Sequence, residues 1–400
     1  VPECTVRNAI FSGRSLKAQV FSVDSFNDFY LLRSVVLSLS LWHTKTPHFL
    51  NSIPYCLTNG VQFKKGFTSF QDGDVLFAKI TPCMENGKGA IAQGLKNGYG
   101  FGSTEFHVLR PHTDQITAEW LYYLTTWDIF RKNAAKNMTG SAGQKRVPKT
   151  FLENYSIDLP DVKAQNQQCR KLKKVDFLIS LRKQQLAKLD ELVKARFVEM
   201  FGDIIRNDKS WPIHNFSDIA SSRLGKMLDA KQQTGKYSYP YLANFNVQWF
   251  SFNVDNLNQM DFNEAEQKEF ELRDGDLLVC EGGEIGRCAV WHNEIQPCFF
   301  QKALHRVRCN RQLVHPDYLA WWFKYNCNHG GFAEIAGAKA TIAHLPGIKL
   351  KQLQVALPPL SLQNEFAAFV ERVDQQKQTV QQSLEKLELM KKALMQEYFG

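Results

Sequence analysis

Leu159-Pro160-Asp161-Val162-Lys163-Ala164-Gln165-Asn166 and Leu357-Pro358-Pro359-Leu360-Ser361-Leu362-Gln363-Asn364 open two stretches of this 400-residue chain that repeat one another. From Ile157 to Gly202 and from Val355 to Gly400 the two align without a gap at an offset of 198, with 15 of 46 positions identical. Val175-Asp176 recurs as Val373-Asp374, and Phe201-Gly202 as Phe399-Gly400. A fixed-offset repeat outranks local motifs as a guide to architecture. It implies two similar halves, each a globular block followed by one long helix.

Neither stretch has Pro or Gly between its Leu-Pro start and its Phe-Gly end, so a helix of about 37 residues, roughly 55 Å long at 1.5 Å per residue, is expected in each. Leu172, Val175, Ile179, Leu186, Leu189, Val193 and Met200 form a three-four seam, interrupted by Arg182 and Arg196. In the later copy Val370, Val373, Val380, Leu384, Leu387 and Leu394 do the same, interrupted by Lys377 and Lys391. Such a seam is that of a coiled coil. The interruptions fall at different heptad positions, so pairing the two helices with each other is expected to set the cations beside apolar partners.

The blocks repeat more faintly. Gln71-Asp72-Gly73-Asp74-Val75-Leu76 matches Arg273-Asp274-Gly275-Asp276-Leu277-Leu278, and each precedes a short apolar strand and a Gly-rich stretch. Aromatic runs of helical spacing come next, Trp120 to Tyr123 and Tyr318 to Phe323, then basic closing stretches, Gly140 to Lys149 and Gly337 to Lys349. The expected division is a first block at 1–155, a helix at 156–203, a second block at 204–353 and a helix at 354–400. Residues 1–50 lack this rhythm and hold no expected site. The chain opens Val1-Pro2 without Met, which reads as a fragment or a trimmed start.

With 49 Lys and Arg against 40 Asp and Glu, the formal charge is +9, which points toward a polyanionic partner. The excess gathers at Lys163, Arg170, Lys171, Lys173, Lys174, Arg182, Lys183 and Lys188, with only Asp176 against them, although a solvated helix face has the same composition. Nine cysteines without a Cys-x-x-Cys pair read as idle thiols in a reducing cytoplasm. The apolar run Leu31 to Trp42 is too short to span a bilayer.

Catalytic signatures are missing. A base methyltransferase needs a Gly-rich cofactor loop and an Asn/Asp-Pro-Pro-aromatic loop, but Pro358-Pro359 is followed by Leu360. Glu281-Gly282-Gly283-Glu284-Ile285-Gly286-Arg287 has glycines but no phosphate-loop lysine, and reads as a turn between strands. Asp74 with Lys79, and Asp276 with Glu281, faintly resemble a nuclease set, though Asp-Gly-Asp is ordinary turn chemistry. The ten histidines form no ligand-spaced cluster, so no catalytic or metal residue is assigned.

Binding remains. Lys79, Thr81, Asn86, Gly87 and Lys88 place amide, hydroxyl and ammonium donors on a loop whose glycines permit close approach, as phosphate contacts and base-edge readout require. Gly282, Gly283 and Arg287 hold the matching place in the second block. Gln144, Lys145 and Arg146 in the first closing stretch, and Lys339 and Thr341 in the second, extend the candidate DNA-binding set. Gln144 suits a bidentate contact to adenine, and Arg146 or Arg287 one to guanine. The aromatic stretch Tyr237 to Phe252 reads as core strand rather than as a stacking platform.

The order block, Leu-Pro with Gln-Asn, long helix, block, Leu-Pro-Pro-Leu-Ser-Leu-Gln-Asn, long helix resembles the specificity subunits of type I restriction-modification enzymes. Gly73 to Gly89 and Leu224-Gly225-Lys226-Met227-Leu228-Asp229 look like motifs of their target recognition domains, which adds Lys226 to the DNA-binding set, and the likeness covers roughly residues 50–400. It implies an α+β fold with two target recognition domains separated by two long antiparallel coiled-coil helices in pseudo-twofold repeat. It further implies a non-catalytic reader of an asymmetric bipartite site on double-stranded DNA. The implied partners are two modification subunits and, through them, restriction subunits, in a bacterial or archaeal cytoplasm and without a membrane. S-adenosylmethionine, ATP and Mg would sit on those partners, with no cofactor in this chain. An orphan adaptor redirecting a methyltransferase, a coiled-coil protein scaffold and an enzyme with an atypical site are the alternatives.

Overall fold

A computed structural model describes residues 21–23, 67–141, 143–229, 233–332 and 344–400. The chain divides into two units, one of residues up to Gln184 together with Gln381–Gly400, the other Gln185–Val380. The sequence reading of residues 1–50 lies outside the described residues except for 21–23, as do Lys339 and Thr341.

In the first unit, Val75-Leu76-Phe77 is a buried apolar run, which suits a central strand. It forms β3 (Val75–Ala78) in an antiparallel sheet ordered β1-β6-β3-β4, with β1 Phe21–Val23, β4 Gly89–Ile91 and β6 Phe106–Pro111. Strands β2 (Thr68–Gln71) and β5 (Tyr99–Gly102) make a separate ribbon. Helices α1 (Ala118–Thr126) and α2 (Asp128–Lys136) come next, and Trp120, Leu121 and Phe130 are buried with Val75 and Phe77 in one core. After α3 (Lys149–Glu153) comes α4, Val162–Phe201.

The second unit repeats the scheme. After β7 (Ile213–Asn215) and α5 (Phe216–Ile219), a sheet ordered β8-β16-β13-β14 forms from β8 Ala220–Leu224, β13 Leu277–Cys280, β14 Cys288–Val290 and β16 Leu304–Cys309. The order is that of the first sheet, and the registers agree: Val75 faces Leu109 as Leu277 faces Val307. Between β8 and β13 lies an addition with its own core around Phe262, Trp291 and Phe299: β9 (Ser238–Leu242), β10 (Val247–Gln248), β11 (Ser251–Phe252), β12 (Asn258–Asp261) and α6 (Glu264–Phe270), joined later by β15 (Phe299–Phe300). The aromatic stretch is thus mainly core, with Tyr241 and Val247 buried, but Phe245 is 60% exposed. Helix α7 (Pro316–Asn328), α8 (Gly347–Lys351) and β17 (Gln354–Ala356) lead to α9, Leu360–Phe399.

Both long helices run 40 residues, and every predicted seam residue is buried or half-buried. Within the first unit, Asp176 pairs with Lys391 at 2.7 Å, Lys183 with Glu388 at 3.0 Å, and Arg182 Nε donates to Ser383 at 3.1 Å, so the segments run antiparallel. Within the second, Lys377 pairs with Asp190 at 2.8 Å and Arg196 with Glu365 at 2.8 Å, again antiparallel. This corrects the expectation of apolar partners: each interrupting cation meets a carboxylate or hydroxyl on the facing helix. A half-buried ammonium needs such an acceptor, and an apolar side chain offers none.

The offset of 198 reaches into each block through a glutamine. Gln165 and Gln363 are both 0% exposed. Gln165 Oε1 accepts from Thr117 N–H at 2.9 Å, while its Nε2 donates to Gln115 O at 2.7 Å and Pro160 O at 2.8 Å. Gln363 makes the same three bonds 198 positions later, to His315 N–H at 2.9 Å, Leu313 O at 3.1 Å and Pro358 O at 2.7 Å. Thr117 and His315 are the N-caps of α1 and α7. Each glutamine therefore satisfies a helix-start amide that would otherwise lack a partner, and ties the start of a long helix to its own block.

Candidate nucleic-acid interface

The loop after β3 and the closing stretch after α2 are held side by side. Val147 N–H donates to Lys79 O at 2.9 Å and Thr81 N–H to Lys145 O at 3.0 Å, while Arg146 and Thr139 exchange backbone bonds at 2.8 and 3.0 Å. Lys79, Thr81, Asn86, Gly87 and Lys88 are thereby brought to Gln144, Lys145 and Arg146. Asn86, Gln144 and Lys145 are exposed; Lys79, Thr81, Gly87 and Lys88 are half-buried. Among the described residues Lys79, Lys88 and Lys145 form no ion pair, although Lys79 lies near enough to Glu105 to help lower its pKa.

Two details differ from the sequence expectation. The loop coils on itself, with Met84, Asn86, Gly87 and Lys88 N–H donating to the carbonyls of Ile80, Pro82, Met84 and Cys83 at 2.9 to 3.1 Å, so these amides are already used. What the loop offers an anion is side-chain donors and charge. Arg146 is also committed: Nε and Nη2 clasp Glu105 at 2.8 and 2.9 Å, and Nη1 donates to Gln144 O at 3.0 Å. The clasp holds the Glu105 carboxyl below its ordinary range. Arg146 here organises the tip that presents Gln144 and Lys145. On the inner side, His107 Nε2 lies 2.8 Å from Val147 O, and burial lowers its pKa.

The turn that precedes each loop is built alike. Asp74 takes Gln71 N–H at 2.8 Å and a two-pronged contact from Arg110 at 2.8 and 2.7 Å. Asp276 does the same with Arg273 N–H at 2.9 Å and Arg308 at 2.7 and 3.1 Å. Gly73 and Gly275, at φ +91° and +80°, supply the left-handed residue of the turn. The Asp-Gly-Asp pair is structural in both blocks.

In the second block Leu345 N–H donates to Glu281 O at 2.6 Å, and Gly282 bridges His344 as Ile80 bridges Arg146. The stretch Glu281 to Gly286 is the turn between β13 and β14, as its glycines implied. Gly282 is buried and Gly283 exposed; Asn244 Nδ2 donates to Gly282 O at 3.0 Å. Arg287 turns inward, with Nη2 donating to Asn244 O at 3.0 Å. Glu284 accepts from Trp249 Nε1 at 2.7 Å. Lys226 is engaged too, 2.6 Å from Glu266 and 2.7 Å from Asp261 O. His305 Nε2 lies 2.9 Å from Leu345 O, repeating His107, and burial again lowers its pKa.

Sequence reasoning missed Glu105 and Asn244, since an isolated polar residue far along the chain carries no periodic signal, and it gave Glu284 no role although the residue stands in the glycine stretch before Arg287. It also missed Arg131, whose apolar neighbours Ile129 and Phe130 on α2 gave only a hint of burial. The two blocks thus present unlike surfaces on one scaffold: Lys79 and Arg146 in the first stand where the second has Glu281 and His344.

The sequence profile described as the type I restriction modification DNA specificity domain matches residues 44–191 and 208–389. The specificity subunit of the type I restriction enzyme EcoAI from Escherichia coli is 52% identical over 102 residues, 26% of this chain and 17% of that protein. The EcoEI specificity subunit, also from Escherichia coli, is 43% identical over 130 residues, 32% of this chain and 22% of that protein. The chain thus spans less than a quarter of the length of these relatives. In fold, the S subunit of a type I restriction-modification system from M. genitalium superposes with a TM-score of 0.52 at 14% identity, covering 96% of this chain and 94% of the other. With two profile matches that fall on its two repeated halves, the chain belongs to the type I restriction-modification DNA specificity family.

Proposed function

We propose that this chain is the DNA-reading subunit of a type I restriction-modification complex, each block reading one half of an asymmetric bipartite target. The observation that carries the reading is one scaffold used twice with different side chains at the same loop, Lys79 and Arg146 against Glu281 and His344. Shared geometry with unlike side chains is what two different half-sites require, since base edges are told apart by their donor and acceptor pattern. The +9 charge supports a polyanionic partner. The chain does no chemistry itself: modification subunits bring S-adenosylmethionine and methylate adenine, and restriction subunits bring ATP and Mg. The two long helices space the readers and, being approximate repeats, dock two modification subunits. No described helix is long and apolar enough to cross a membrane, which fits work on DNA in a prokaryotic cytoplasm.

Single-molecule sequencing of a host expressing the chain with modification subunits tests the reading. Methylated adenines should fall in one bipartite motif whose halves differ. A palindromic motif defeats the assignment of different half-sites to the two blocks, and methylation by the chain alone defeats the non-catalytic role.

A further inference from the structure

Arg131 on α2 is only 6% exposed, yet it lacks the partners a buried guanidinium needs. Nη1 donates to Met84 O, while Nε and Nη2 have no hydrogen-bond partner; Tyr122 and Asp128 offset the burial only through longer-range attraction, and no carboxylate among the described residues comes within ion-pair distance. The face of Phe77 lies 5.6 Å away, a weak compensation. Proteins rarely bury an unpaired cation, because lost hydration is not repaid. Desolvation accordingly lowers the Arg131 pKa to about 10.

The position of this charge is informative. The guanidinium lies under the loop that carries Asn86 and Lys88, at its two glycines. A Cβ on Gly87 would come 4.0 Å from Arg131 Cζ, and one on Gly89 would come 3.8 Å from Nη2. At both places only backbone covers the guanidinium. Gly87 holds φ at +76°, so the cover is a turn that a larger residue would strain. Outside this cover stand Lys88 and, beside it, Lys79 and Lys145.

We propose that Arg131 is the buried counter-charge of a phosphate-binding site on the outer face of Gly87-Lys88-Gly89, which takes a backbone phosphodiester of DNA. The inference rests on the DNA-reading role and deepens it by naming the group bound. A phosphate docked against Lys88 lies about one chain thickness from Arg131, across a low-dielectric layer that screens little. The charge that destabilises the free protein is thereby compensated in the complex. No second copy of the site is expected in the other block, since the residue 198 positions later, His329, is exposed and its Nδ1 lies 2.8 Å from Tyr325 O on its own helix.

The test compares wild type, Arg131→Gln and Arg131→Lys, each as the full chain with its modification subunits, binding duplex target DNA across a range of KCl. Glutamine keeps a donor for Met84 O but removes the charge; lysine keeps both. Arg131→Gln should lower the slope of log affinity against log salt by about 0.9, which at 0.1 M salt is about eightfold in affinity. Its Tm without DNA should equal or exceed that of wild type. Arg131→Lys should keep the wild-type slope. An unchanged slope in Arg131→Gln, or a fall in Tm that accompanies the affinity loss, overturns the proposal and makes Arg131 a strut for the loop. Wild type that binds duplex DNA without salt dependence sinks this proposal together with the DNA-reading role, whereas salt-dependent binding with an indifferent Arg131→Gln sinks this proposal alone.

Discussion

Single buried polar side chains decide more here than their number implies. Gln165 and Gln363 each meet one amide and two carbonyls, and removing either takes the partner of three backbone groups from a site where the glutamine itself is fully buried. An orphaned buried group costs about 1 to 3 kcal/mol, and partial relaxation brings the expected total for Gln363→Leu to about 3 kcal/mol. Urea unfolding of that variant should show the loss, and a change below about 1 kcal/mol would mean that the bonds are replaceable. His107 and His305 set a pH response. Each faces a carbonyl, which accepts only, so Nε2 carries the hydrogen and protonation adds a buried charge. Their folded pKa values lie below the ordinary 6.5, so the unfolded chain binds more protons once the pH drops past 6.5. Stability from these two residues is present above that pH and is lost as the pH falls through the folded values. The urea midpoint should drop between pH 7 and pH 5, and less so in His305→Gln; an equal drop in both proteins would assign the effect to other groups.

At the scale of elements, the seam gives affinity between helix segments and the ion pairs give register. An apolar seam alone tolerates a slip of seven residues, because the heptad repeats. Asp176–Lys391 and Lys183–Glu388 in one unit, and Asp190–Lys377 and Arg196–Glu365 in the other, match only one alignment. Lys183→Glu should therefore cost stability through a like-charge contact with Glu388, and the swap Lys183→Glu with Glu388→Lys should restore it, since neither side chain has another partner among the described residues to lose. The coupling expected for such a part-exposed pair is about 0.5 to 1 kcal/mol, and a cycle that closes at zero would remove the pair from the register argument. The helices, their seam and the Asp-Gly-Asp turns were legible in the sequence because periodicity and a fixed-offset repeat encode them directly. Of the addition around Phe262, Trp291 and Phe299, the strands within Tyr237 to Phe252 were legible, but their pairing with Asn258–Asp261 and Phe299–Phe300 was not, since those strands are short and meet across distant stretches of chain. The candidate site was half legible. The loop residues stood out by type, but Arg146, Lys226 and Arg287 are engaged by residues remote in sequence, Glu105, Glu266 and Asn244, which composition cannot connect to them.

For the molecule as a whole, the proposed spacing role of the helices is a matter of pitch. Removing the facing heptads 179–185 and 382–388 shortens each helix by about 10 Å, or about three base pairs of DNA at 3.4 Å each. Seven residues are nearly two whole helical turns, so the deletion rotates the remainder of each helix by only about 20°, whereas three base pairs rotate the duplex by about 100°. Shortening by one heptad therefore puts the two half-sites out of rotational phase, and methylation at the original motif should be lost or move to a different gap. Inserting three heptads into each helix adds about 31 Å, close to the 34 to 36 Å of one full DNA turn, and brings the phase nearly back. That longer protein should methylate the same two half-sites with a gap about nine to ten base pairs greater. Methylome sequencing distinguishes the outcomes: the original gap retained in either variant would show that the helices do not measure it, because a rigid spacer changed by about 10 or 31 Å has no means of reaching the same two sites.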